Sequence, residues 1–97
     1  MPLMKPQPKP VRVSDPAYLS WIRTQPCIRC DRQPSEAHHQ PAVGHSSVGS
    51  KCDDTRAVPL CTEHHAELHR RGRHTFWGSF DVETYISQLN VRFYSRP

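Results

Sequence analysis

Cys27 and Cys30 are separated by two residues, Cys61 and His64 by two more, and His65 and His69 by one helical turn. Two thiolates in a Cys-x-x-Cys knuckle can hold one tetrahedral metal within a tight turn, and a second two-residue pair elsewhere in the chain completes such a site. Cys27, Cys30, Cys61 and His64 are therefore the expected ligands of a structural zinc. Cys52 competes with His64 for the fourth place, because thiolate is the better zinc ligand, although Cys52 sits at the end of a Gly/Ser loop. His65 and His69, four residues apart, project from one face of a helix and suit a second, catalytic ion. His64 points about 100° away from His65, toward whatever Cys61 faces. The Cys-x-x-Cys pattern also occurs in redox proteins, but no strand–helix pattern of the thioredoxin kind accompanies it here.

The elements that must carry these residues are short. Thr62 reads as the N-cap of a helix running to Arg71, Glu63 favours its positive end, and Gly72 follows a basic last turn as a left-handed stop. Ala57-Val58-Pro59-Leu60 reads as a brief strand leading into that helix, and Glu36-Ala37-His38-His39 as another strand or its end. Adjacent strand residues face opposite ways, so His38 and His39 are not expected to share one task. Upstream, Asp15 caps a helix with Pro16 at its first position, Leu19 and Ile22 facing the core, Trp21 as a core or rim aromatic, and Pro26 barring continuation beyond Gln25. Downstream, Asp81 caps a helix over about residues 81–91 in which Val82, Tyr85, Ile86 and Leu89 recur at the helical period, with Phe80 and Tyr85 placed as a staple. The tail from Arg92 reads as loose. Residues 40–50 read as a loop, and residues 1–13, with prolines at 2, 6, 8 and 10, as a disordered basic arm. Residues 14–97 form the single expected domain.

Composition narrows the function classes. A chain of 97 residues with 35% hydrophobic residues builds a small core that usually needs a metal or disulfides. The N-terminal residues Met-Pro-Leu-Met-Lys-Pro have no apolar run after them, and no stretch approaches a membrane span, so a reducing, cytoplasmic setting and metal rather than disulfides are expected. A formal charge of +4 and a pI near 9.1 suit a polyanion. Lys51, Arg70, Arg71 and Arg73 are candidates to meet backbone phosphates, whereas His45 and His74 read as plain surface residues.

The ordered set is thus Cys27-x-x-Cys30, His38-His39, the loop from Gly44 to Asp54, and Val58-Pro59-Leu60-Cys61-x-x-His64-His65-x-x-Leu68-His69. Together these resemble the HNH, or ββα-metal, endonucleases, most closely their phage recombination-associated, Ref-like branch, over roughly residues 18 to 72. The resemblance implies an α+β fold: a small zinc-stapled ββα-metal (HNH) domain flanked by N- and C-terminal helices. By the family's pattern His39 matches the general base that deprotonates water, and His38 falls where many members place a metal-binding aspartate. His65 matches the helix ligand, with His69 in reach one turn later. The chain departs from the pattern at its middle letter, offering Asp54-Thr55-Arg56-Ala57 before the Leu-Cys pair, and Asp54 takes the place of the residue that orients the base.

The implied function is a metal-dependent DNA endonuclease of weak sequence specificity, phage- or prophage-borne, working in the bacterial host cytoplasm on recombination or DNA processing. DNA is its implied partner, with a recombinase or another phage DNA-processing protein beside it. The residue types also suit hydrolysis independently: imidazole titrates near neutrality, and a divalent cation neutralises a leaving oxygen. An imidazole-rich site prefers Mn²⁺, Ni²⁺, Co²⁺ or Zn²⁺ in the free protein, with Mg²⁺ or Mn²⁺ as the working ion once phosphate adds oxygen ligands. The rival expectation is a zinc-finger-like module that grips nucleic acid without cutting it. Against it stand the four imidazoles (His38, His39, His65 and His69) left over after zinc is satisfied.

Overall fold

The computed structural model describes residues 13–41 and 53–96. The basic arm up to residue 12 and the loop with His45, Lys51 and Cys52 lie outside the described residues. Helix α1 spans Pro16–Arg23, and its cap is the expected one: the Asp15 carboxylate accepts from the Tyr18 amide at 3.0 Å. The helix stops two residues before Gln25, its end tightened by amide bonds from Thr24 to Trp21 and from Gln25 to Ile22. Tyr18 and Ile22 are its buried residues, while Leu19, expected inward, is half-buried. Tyr18 can be enclosed because Asn90 donates to its hydroxyl at 2.8 Å, satisfying the polar end of an otherwise apolar ring. Burial nonetheless pushes its phenol above the ordinary range.

Strands β1 (Glu36–His39) and β2 (Ala57–Leu60) pair antiparallel, with His38 opposite Val58 and His39 opposite Ala57. All four residues of β2 are buried. Pro59 lacks a ladder donor, but its carbonyl accepts from the Ile28 amide at 3.1 Å, which pins the knuckle to the edge of β2. A 3-10 turn, Asp54–Arg56, enters β2. Helix α2, Thr62–Arg71, follows β2 directly and packs on both strands. Its N-cap is Cys61 and not Thr62: the Cys61 sulfur accepts from the His64 amide at 3.5 Å, and the Thr62 hydroxyl reaches Glu36 instead. Gly72 ends the helix at φ +84°, its amide on the Leu68 carbonyl.

The next five residues form helix α3, Arg73–Trp77, where a basic surface segment was expected. Its buried Phe76 and Trp77 are what fold it back onto the core, and tertiary burial rather than intrinsic propensity makes so short a helix. Helix α4 spans Val82–Tyr94, capped by Asp81 as expected, with Thr84 donating from both amide and hydroxyl. Those bonds hold the exposed Asp81 carboxyl below its ordinary range. Val82, Ile86, Leu89 and Phe93 form its inner face. Phe80 and Tyr85 stack at 5.0 Å as the expected staple, but Tyr85 is exposed rather than core-facing. The helix also runs past residue 91, because Phe93 packs edge-on against Tyr18 at 5.0 Å and carries the expected loose tail with it.

The described residues therefore form a small α+β domain: a two-stranded sheet, four helices, and one core to which β2 and all four helices contribute. The arm's last residue belongs to it, since Val13 bonds through its amide to the Asp53 carboxylate and through its carbonyl to the Asp54 amide, both at 2.9 Å. Among the described residues no helix is long and apolar enough to cross a membrane.

Candidate metal centres

Among the described residues two groups of ligating side chains come together: Cys27, Cys30, Cys61 and His64, the set expected from spacing, and His38, His65 and His69, of which spacing pairs the last two and the family resemblance adds His38. Within each, the donor atoms lie within 4.8 Å of one another. In the first group, the knuckle presents Cys27 and Cys30 while the start of α2 presents Cys61 and His64. The Cys30 and Cys61 sulfurs are 3.8 Å apart, Cys27 Sγ is 3.6 Å from His64 Nδ1, and Cys61 Sγ is 3.3 Å from the same nitrogen. A tetrahedron with metal–sulfur bonds of about 2.3 Å has sulfur–sulfur edges of about 3.8 Å, whereas a disulfide needs about 2.05 Å. The donors fit zinc.

Their protonation chemistry agrees. Burial raises the Cys27 thiol, but amide hydrogen bonds from Cys61, Arg29 and Cys30, together with His64, outweigh it and bring it down to about 7. The Arg32 amide lowers the Cys30 thiol, yet desolvation and the sulfurs of Cys27 and Cys61 together leave it raised. One thiolate thus disfavours the next unless a cation sits among them. Cys52, the competing fourth ligand, lies outside the described residues.

The second group spans two elements. His38 comes from β1 and is buried, His65 on α2 is half-buried, and His69 one turn on is exposed, so the group opens toward solvent. His65 Nε2 and His69 Nε2 are 3.2 Å apart, against about 3.0–3.4 Å for two imidazoles on one ion at bonds near 2.1 Å. The His38 ring lies 5.2 Å from the His65 ring and 5.8 Å from the His69 ring, edge-on to both. The Glu36 carboxylate accepts from His65 Nδ1 at 2.7 Å, which leaves Nε2 with its lone pair toward the cluster. Burial, relieved partly by a hydrogen bond to Gln40 and deepened by the neighbouring His65, His69 and His39, brings the His38 imidazole down to about 4, so it is neutral and able to ligate.

His39 faces elsewhere, as strand alternation demands. Its Nε2 is 2.8 Å from Asp54 Oδ1. Asp54 is 3% exposed, and its other oxygen accepts from the Asp15 amide at 2.7 Å, so the start of α1 braces it. With Nε2–H donated to the carboxylate, Nδ1 of His39 holds the lone pair. Three of the four surplus imidazoles meet at one point, and the fourth is held by Asp54 from the next strand position.

Of the expected phosphate contacts, Arg70 and Arg71 are exposed at the end of α2, Arg71 with Glu67 at 3.3 Å, and Arg73 is half-buried at the start of α3. Lys51 lies outside the described residues. Arg56 is a clamp, bonded to the Gln40 carbonyl at 2.8 Å and to Glu83 at 2.5 Å. The sequence reading missed Glu36, Gln40 and Trp77. Period-two alternation from His38 would have found the first two, since Glu36, His38 and Gln40 share one face of the strand. Trp77 had no comparable signal, as it depends on α3.

Compared with known proteins, the chain is 39% identical over 86 residues to a protein of Escherichia coli (strain K12) described as "Uncharacterized protein YdfU". The match covers 89% of this chain and 23% of that protein, so the chain spans about a quarter of its relative's length. No solved structure matches. Residues 2–91 match the family model described as "Protein of unknown function (DUF968)", and the chain belongs to that family.

Proposed function

We propose that this chain is a metal-dependent DNA endonuclease of the HNH type, with β1, β2 and α2 forming a zinc-stapled ββα-metal core. The observation that carries the proposal is the convergence of His38, His65 and His69 beside a histidine, His39, held by the buried carboxylate of Asp54. Three imidazoles leave coordination positions open, as a hydrolytic site requires, whereas Cys27, Cys30, Cys61 and His64 close a tetrahedron and suit structural zinc. The reaction is hydrolysis of a phosphodiester. His39 Nδ1 takes a proton from water while the water oxygen bonds to phosphorus, and the bond to the leaving sugar oxygen breaks, that oxygen taking a proton from solvent. Asp54 keeps His39 in the tautomer and orientation this needs. A divalent ion bound by His38, His65 and His69 would supply charge neutralisation at the leaving oxygen. Imidazole ligands favour transition metals in the free protein, and substrate oxygen ligands allow Mg²⁺ or Mn²⁺ in the working complex.

Arg70, Arg71, Arg73 and Lys51 would contact phosphates, giving weakly sequence-specific, salt-sensitive binding. We place the activity in phage or prophage recombination or DNA processing, in the cytoplasm of a bacterial host, with a recombinase or similar protein as further partner. The test is supercoiled plasmid incubated with the protein and Mg²⁺ or Mn²⁺. Nicking by the wild type and none by His39→Ala is the expected result. Retardation without nicking, equal in both proteins, would replace the nuclease with a zinc-finger-like binding module.

A further inference from the structure

Gln40 and Trp77 lie behind His38, and both are almost fully buried. The Gln40 side-chain oxygen Oε1 is 2.8 Å from Trp77 Nε1 and 3.0 Å from His38 Nε2. An indole nitrogen only donates, so Trp77 fixes which end of the Gln40 amide points inward: the oxygen. That oxygen only accepts, so a neutral His38 must carry its proton on Nε2. The lone pair is then on Nδ1. We infer that Gln40 and Trp77 are positioning residues for His38, a buried Trp–Gln–His relay that holds the imidazole in its Nε2–H tautomer and reserves Nδ1 for a metal ion.

The relay rests on the reading of His38 as a ligand, and it adds to that reading what selects the ligating nitrogen. It mirrors the Glu36 contact, whose carboxylate accepts from His65 Nδ1–H and so leaves the lone pair on Nε2. The two histidines therefore offer opposite nitrogens because their outer partners bond to opposite edges. The arrangement also gives α3 a purpose, since Trp77 is the residue that orients Gln40. The Gln40 main chain is held separately, its amide on the Arg56 carbonyl at 3.2 Å and its carbonyl accepting from Arg56 Nε at 2.8 Å. Side-chain changes at position 40 therefore leave the strand end anchored.

The test uses the zinc-loaded full chain, with two readouts. Imidazole ¹⁵N shifts report the His38 tautomer without added metal, and calorimetric titration with Ni²⁺ reports affinity. Gln40→Met, of similar volume without an acceptor, is expected to lose the pure Nε2–H tautomer and to weaken Ni²⁺ binding by roughly 10–100-fold. Trp77→Phe frees the amide to turn over and should give a smaller change in the same direction. Gln40→Glu keeps an acceptor between the two donors and should retain both tautomer and affinity, which separates the relay from general loss of packing. An unchanged tautomer and affinity in Gln40→Met, with binding lost in His38→Ala, would overturn the relay and leave the metal reading intact. Binding by His38→Ala as tight as wild type would overturn both.

Discussion

His64 and His65 are neighbours on α2, yet they belong to different clusters, and the two clusters differ in almost every physical respect. The Cys27–Cys30–Cys61–His64 group is closed: four donors, three of them soft, joined by main-chain amides that point at sulfur. The His38–His65–His69 group has three donors of one kind, grows more exposed from His38 to His69, and has a ring of outer partners, Glu36, Gln40 and Trp77. A metal filling that tetrahedron would staple the knuckle to the start of α2, in a domain whose core is too small to leave much to spare. An open triad can accept a further ligand, and its outer partners set which nitrogens face inward. One helix can carry both because a rotation of about 100° per residue sends adjacent side chains to different sides.

The sharpest way to break this contrast is to remove one ligand from each cluster. Cys61→Ser removes a proposed zinc ligand but keeps the cap of α2, since a serine hydroxyl can still accept from the His64 amide. Structural zinc is worth about 10–16 kcal/mol in zinc-finger peptides near pH 7, against a total stability of about 5–15 kcal/mol for a typical domain. The variant is expected to show no cooperative thermal unfolding by circular dichroism. His69→Ala, at an exposed ligand, is expected to melt close to wild type while losing plasmid nicking. Equal melting of the two variants would erase the distinction between staple and open site.

A middle-sized effect is expected at Asp54. Asp54→Asn keeps the shape but can present an N–H to His39 Nε2, favouring the wrong tautomer. Nicking should fall by on the order of 100-fold or more, measured as initial rate in the variant whose zinc content matches wild type. A rate within a few-fold of wild type would assign Asp54 to bracing α1 alone.

The smallest effect concerns pH. The His38 imidazole is depressed to about 4 in the folded chain, chiefly by burial, from an ordinary value of 6.5. Between those values the unfolded chain binds more protons, so stability is full above pH 6.5 and falls as pH drops toward 4. The loss is on the order of 3 kcal/mol at most. Urea midpoints measured across this window without added divalent metal should fall less steeply in His38→Ala than in wild type. Equal slopes would mean that His38 is not the group being held neutral.

Much of this was legible before any coordinates. The caps Asp15 and Asp81, the stop at Gly72, the Cys27–Cys30–Cys61–His64 group and the pairing of His65 with His69 follow from local chemistry and spacing, whereas His38 joined them only through the family resemblance. The N-cap of α2 is Cys61 and not the expected Thr62, because the Cys61 sulfur accepts from the His64 amide while the Thr62 hydroxyl turns to Glu36. Leu19 and Tyr85 were placed inward by period alone, whereas Asn90 admits Tyr18 to the core and Phe80 holds Tyr85 at the surface. Helix α3 and the last turn of α4 owe their order to Phe76, Trp77 and Phe93, whose burial partners are far away in the chain.

What the sequence alone determined is which residues could ligate and how near neighbours pair, since spacing within a turn of backbone fixes where neighbouring donors point. What only the tertiary structure decided is which nitrogens they offer and what holds them. Glu36 meets His65 across 29 residues, Trp77 meets Gln40 across 37, and His39 meets Asp54 across 15. Such contacts depend on the packing of strand on helix, and no local pattern encodes them.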